Sequence, residues 1–265
     1  MQSGLRDERC APAVSTQACA QIVRKGDPDR FLATMAAPGF MRPAMFAIYA
    51  FNVEVSRAPW LTREPMIAEM RLQWWRDALE EIGKGAVVRR HEVTTPLAQV
   101  LDYEGSAILD KLVLARIWDC YQEPFENERH FRKYIEATGG GLMWAAARAV
   151  GVNSGEDAIR DVGSAAGLAN WLRAVPELTA RGHHPLVESR PESISALARA
   201  ALEKLRNARK SVPRDGRPVT RSGWQADRIL HSAAANPATV TGGRLHTSEF
   251  TKKLTLMMRV VTGAP

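Results

Sequence analysis

The sequence predicts an all-α protein, and three observations carry that prediction. Apolar residues recur at helical spacing over almost the whole chain. No stretch keeps the strict apolar–polar alternation of a half-buried strand. Proline and glycine fall at helix-length intervals, where they open and close segments rather than interrupt them. The 265 residues, 45% hydrophobic and 25% charged, can bury one substantial core. That balance excludes a disordered chain, a collagen and a disulfide-stapled miniprotein.

The elements follow in order. Residues 1–15 read as a flexible N-terminus and 16–265 as a single domain. Pro43 sits where a first-turn proline is tolerated and opens a helix over 42–58, which Pro59 closes. Pro65 opens the next, over 64–83, and Gly83 ends it. Thr95 and Pro96 start a short helix, and Ser106 starts a longer one that Pro124 stops. A pair follows over 127–151 and 154–175, the second broken by Pro176. Helices over 191–212, 222–235 and 247–261 complete the chain. Gly139, Gly140 and Gly141 lie together inside the helical pattern, each costing about 1 kcal/mol against alanine. They mark a break, or a place where a ligand or another backbone comes close. The small residues Gly163, Ser164, Ala165, Ala166, Gly167 and Ala169 leave room for a pocket or for close helix packing.

No uncharged apolar run reaches the roughly 18 residues of a membrane span, and the first residues show no secretory signal. Cys10, Cys19 and Cys120 are too scattered for a disulfide framework or zinc site and read as reduced thiols in a cytoplasmic protein. The net charge is +7. Much of it lies over 204–221, where Lys204, Arg206, Arg209, Lys210, Arg214, Arg217 and Arg221 face one acid, Asp215. That segment suits an anionic membrane surface or an acidic protein partner, or else a basic helix end and a solvated loop. Without interleaved aromatics it does not read as a nucleic-acid site. Phe250, Leu254, Met257, Met258 and Val261 form an apolar stripe in the last helix, expected to pack in the core, with an interfacial or partner-binding helix as the alternative.

Four segments carry a resemblance. They are YAFNVEVSRAPW from Tyr49, RLQWWRDALEEI from Arg71, the glycine-rich ATGGGLMWAAARAVG, and LANWLRAVPELTARG from Leu168. In order and spacing they resemble the squalene/phytoene synthase family. The resemblance implies a helical isoprenoid-synthase-like bundle around a central cavity. Active members join two prenyl diphosphates head to head, with Mg²⁺ held by two Asp-rich motifs. Counting on from Phe51, the three acids of the first motif fall on Ser56, Arg57 and Trp60. Asn170, Leu172 and Arg173 match the second motif, but its two acids fall on Ala174 and Leu178. Arg57 would repel a divalent ion where one should bind. Glu54 and Glu177 remain nearby, each alone, and Glu54 can equally pair with an arginine.

The resemblance therefore implies a non-catalytic member with no cofactor. The run Ala50–Glu54 and the pattern Arg71-x-Gln-Trp-Trp are similar to the branch of the family that serves respiratory complex I assembly. That implies a binding or assembly role for a cytoplasmic protein, with a peripheral position at the inner face of a membrane as the finer expectation. The alternatives are an active phytoene/squalene-type prenyltransferase using Mg²⁺, and an isoprenoid- or lipid-binding protein. The residues expected at the cavity are Tyr49, Glu54, Arg57, Arg71, Trp74, Gly140, Asn170, Arg173 and Glu177.

Overall fold

The computed structural model describes residues 11–265, with side chains from Thr16 onward. Every regular element among them is helical. The order is α1 Ala11–Gly26, α2 Pro28–Met35, α3 Arg42–Arg57, α4 Pro65–Gly83, α5 Thr94–Ala98, α6 Tyr103–Arg116, α7 Glu128–Ile135, α8 Leu142–Ala149, α9 Glu156–Ala180, α10 Pro191–Ser211, α11 Arg217–Thr220, α12 Ala226–Ala235, α13 Ala238–Thr241 and α14 Glu249–Thr262. Helix α1 starts inside the stretch expected to be flexible. Residues 1–10, Cys10 among them, lie outside the described residues.

The helix starts have local causes. Asp27 accepts a hydrogen bond from the Arg30 amide at 2.9 Å and caps α2, with Pro28 at the first turn. Asp102 caps α6 at 2.7 Å and Asn127 caps α7 at 2.9 Å in the same way. Prolines Pro43, Pro65 and Pro191 stand in the first turns of α3, α4 and α10.

Helix α3 is the core helix. Eleven of its sixteen residues are buried, among them Met45, Ile48, Tyr49 and Phe51. A helix apolar on all sides belongs in the middle of a bundle. Around it pack α1, α8, α5 and α2, while α9 runs alongside α8, α10 and α12. Helix α9 is longer than the sequence predicts. It passes through Pro176 and ends at Ala180. An interior proline costs about 3 kcal/mol, and the burial of Leu178 beyond it offsets part of that cost.

The glycine triplet does not break the chain. It belongs to a π-helical turn, Glu136–Gly141, that joins α7 to α8 without a loop. A Cβ on Gly139 would lie 2.6 Å from the Gly163 carbonyl oxygen, and one on Gly163 would lie 2.7 Å from that of Gly139. A Cβ on Gly140 would lie 2.8 Å from the Arg160 carbonyl oxygen. The triplet thus lets the π turn and α9 touch backbone to backbone. Gly140 packs against α9 and does not line the main cavity, where the sequence reading placed it.

The stripe of α14 is also corrected. Phe250 and Val261 are each 76% exposed, and Leu254, Met257 and Met258 are between 41% and 55% exposed. Leu256 is the helix's buried residue and joins Ala33 and Trp224 in a small separate cluster. Periodicity identifies an amphipathic helix but not which of its faces is covered.

Two glycine substitutions test the contact between the π turn and α9. Gly163→Ala should cost about 1–3 kcal/mol through overpacking. Gly39→Ala, where nothing lies within 4 Å of the new methyl group, should stay within about 0.5 kcal/mol. Urea denaturation of both variants measures the difference.

Candidate functional site

A cavity of about 800 Å³ opens between α3 and α9. Helix α3 contributes Asn52, Val53, Ser56 and Arg57, and the turn after it contributes Trp60. Helix α9 contributes Asn170, Arg173, Ala174, Glu177 and Leu178 at helical spacing, and Arg181 follows at its end. All five positions of the expected acidic motifs, Ser56, Arg57, Trp60, Ala174 and Leu178, line this cavity. Ala166, Gly167 and Ala169 line it as well, so the slim face of α9 makes room as well as close packing.

Arg57, Asn170, Arg173 and Glu177 reach the cavity as the sequence suggests; the other five expected residues, Gly140 among them, do not. Tyr49 is buried behind it, 1% exposed, with the Arg30 guanidinium 5.6 Å from its ring centre. Arg71 is exposed on α4. Trp74 packs edge-on to Trp75 and His91, with Arg89 5.1 Å over its ring, so the tryptophan pair belongs to the α4 surface and core. Glu54 stands outside the cavity wall and pairs with Arg57 at 3.3 Å.

The fold also brings in acids that no motif spacing points to. Asp27 and Asp29 come from the junction of α1 and α2, and Asp119 from the turn after α6. With Glu177 they make four carboxylates against six cations, Arg30, Arg57, Arg116, Arg173, Arg181 and Lys252. Each acid is already engaged. Asp27 pairs with Arg30. Asp29 pairs with Arg173 and Lys252, each at 3.2 Å. Glu177 pairs with Arg181 at 2.5 Å. Asp119 accepts from Arg116 at 2.8 Å and from the Tyr134 hydroxyl at 2.7 Å, and Arg116 also donates to Tyr134 at 3.0 Å.

The titration shifts follow this wiring. Burial alone would raise the Asp29 carboxyl, but hydrogen bonds from Gln225, Lys252 and Arg173 outweigh it and hold the group below its ordinary value. Burial pushes the Tyr134 hydroxyl well up, so it remains a neutral donor. Burial also pushes the Cys19 and Cys120 thiols up to about 12, which leaves both as unreactive thiols.

The carboxylates of the wall are paired with cations rather than gathered as a set of free oxygens. A divalent cation needs carboxylate oxygens free to coordinate it, and here cations hold them. Among the described residues, no group of three or more His, Cys, Asp or Glu side chains is placed to hold a metal. The wall instead carries an excess of positive charge.

An all-helical bundle enclosing a charged cavity at the junction of two motif helices is the architecture of isoprenoid synthases. The squalene/phytoene synthase model matches residues 23–190, and the chain belongs to that family. The fold is that of a dehydrosqualene synthase solved in complex with ligand, at a TM-score of 0.74 and 16% identity over 97% of this chain and 98% of that one. It is also that of squalene synthase HpnC from Alicyclobacillus acidocaldarius, at a TM-score of 0.69 and 13% identity over 85% and 95%. In sequence the chain is similar to the NADH dehydrogenase (ubiquinone) complex I, assembly factor 6 homolog of Drosophila melanogaster, 33% identical over 177 residues, which are 64% of this chain and 53% of the relative. The Homo sapiens assembly factor 6 is 25% identical over 173 residues, 60% and 48% of the two chains. The chain thus spans about half the length of the curated relatives it matches.

Two measurements check the wiring. Asp119→Ala leaves Arg116 without its carboxylate in the wall and should cost about 3 kcal/mol by urea denaturation. Asp29 has a lowered folded pKa, so its contribution is present above its unfolded value of 3.8 and is lost as pH falls through the folded value. The stability gap between wild type and Asp29→Asn should therefore narrow below about pH 4 and stay constant from there to neutrality.

Proposed function

We propose that this chain is a non-catalytic member of the squalene/phytoene synthase family that works as a binding protein in respiratory-complex assembly. The observation that carries the reading is the cavity wall. Head-to-head condensation requires metal-bridged diphosphates that leave as pyrophosphate. At the five positions where the family's metal acids are expected, this wall presents a hydroxyl, a guanidinium, an indole, a methyl and an isobutyl group. The acids that do reach the cavity are committed to cations. The similarity to the two proteins named as complex I assembly factors supports an assembly role and a protein partner.

The surfaces proposed for that partner are the basic segment 204–221 and the exposed face of α14. No helix among the described residues is long and apolar enough to cross a membrane. We propose a cytoplasmic protein acting at the inner face of a membrane. A second reading, retention of an isoprenoid or lipid without chemistry, is favoured by the cavity's volume and its surplus of cations.

Purified protein incubated with farnesyl or geranylgeranyl diphosphate and Mg²⁺ should release no pyrophosphate above a protein-free control. Steady turnover would establish the prenyltransferase alternative. A pull-down with the exposed residues Arg206, Lys210 and Arg214 intact, and then replaced by glutamine, tests the partner surface. A respiratory-complex subunit should be retained only by the first form.

A further inference from the structure

The cavity holds polar groups that its ion pairs do not use. Its wall carries six cations against four acids, yet each cation has a carboxylate partner. Arg57 pairs with Glu54 at 3.3 Å and Lys252 with Glu249 at 2.9 Å, and both glutamates stand outside the wall. The other four cations pair within it. With those two glutamates counted, six positive charges meet six negative ones. The site therefore has no net charge to draw in a multiply charged anion, and a diphosphate there would compete with carboxylates already in place.

The groups left over are neutral acceptors. Asn52 and Gln225 line the cavity and are 6% and 9% exposed. The Asn52 Oδ1 and the Gln225 Oε1 are buried with no hydrogen-bond donor among the described residues. A buried acceptor left unpaired costs free energy, which a donor brought by a ligand restores. Both oxygens belong to terminal amides, whose last torsion is broad and soft, so a small turn presents them to the cavity. Another part of the wall suits an apolar body. Trp60, Tyr134, Ile135, Trp171 and Leu178 line it. The Tyr134 and Trp171 rings lie 4.9 Å apart, centre to centre. Their polar atoms are spent inside the protein, the Tyr134 hydroxyl on Asp119 and the Trp171 N–H on the Pro185 carbonyl at 2.7 Å. They leave apolar ring surface for the cavity. Trp60 comes eight residues after Asn52, roughly 12 Å along a helix.

We infer that the cavity takes an uncharged amphipathic molecule whose polar end donates hydrogen bonds to Asn52 and Gln225 and whose apolar body lies against Trp60 and Trp171. A long-chain alcohol has this chemistry, and a diphosphate does not. The inference rests on the second reading above, retention of an isoprenoid or lipid, and names the kind of headgroup retained. The alcohol can be an isoprenoid alcohol or a monoacylglycerol.

The test is a tryptophan-fluorescence titration of the whole chain below the solubility limit of each ligand. Farnesol and monooleoylglycerol are titrated, each beside its methyl ether, and farnesyl diphosphate is titrated without Mg²⁺. The ethers keep the chain and the oxygen atoms but have no donor. At least one alcohol should bind, about tenfold more tightly than its ether and more tightly than the diphosphate. The tighter of the two alcohols identifies the source. Asn52→Leu should weaken that alcohol about fivefold and leave its ether unchanged. If this variant does not fold, the comparison of alcohol with ether in wild type still decides. Ethers that match their alcohols, or a diphosphate that exceeds both alcohols, overturn the inference and leave the retention reading standing. No binding by any of the five molecules overturns that reading and the inference with it.

Discussion

The carboxylates that reach the cavity are held by cations, and the functional reading depends on that pairing. Asp29 shows it best, with Arg173 on one side and Lys252 on the other. To coordinate a metal, Asp29 would have to give up both partners and leave two cations facing a third, doubly charged one. At these separations in a partly buried site that repulsion amounts to several kcal/mol. The arrangement is therefore self-locking. On the proposed reading, the ion pairs stabilise the cavity wall and keep its acids away from a divalent ion.

The scaffold around the cavity is held by a different constraint. The π turn and α9 approach until backbone meets backbone, which Gly139, Gly140, Gly163 and Gly167 permit. This contact fixes α9 along the bundle and so aims the stripe from Asn170 to Arg181 at α3. The fold can thus keep the geometry of its family while its acids are replaced. The close packing and the cavity meet at Gly167, which touches Gly139 and also lines the cavity.

Much of the fold was legible because it depends on local signals. Pro43, Pro65 and Pro191 mark helix starts whatever the tertiary context, and the apolar periodicity of α3 declares a buried helix. The motif spacing singled out Ser56, Arg57, Trp60, Ala174 and Leu178, on two helices and the turn after the first, and all five line one cavity. What escaped the sequence is what tertiary contact decides. Asp29 lies 144 residues from Arg173 and 223 from Lys252, and no spacing rule links them. Asp27 and Asp29 precede the motif segments, and nothing local marks the junction of α1 and α2 as part of a cavity. Trp74 and Arg71 share a helix with core residues but point away from the cavity. The stripe of α14 read as core because amphipathicity does not say what lies opposite.

Electron paramagnetic resonance of Mn²⁺ tests the central claim most directly, because it reads metal binding without requiring turnover. Titrated into the purified chain with and without pyrophosphate, Mn²⁺ should show no stoichiometric protein-bound population beyond what pyrophosphate alone binds. One or more bound Mn²⁺ per chain, released by Asp29→Asn or Asp119→Asn, would show that the cavity acids are free to hold a divalent ion and would contradict the account.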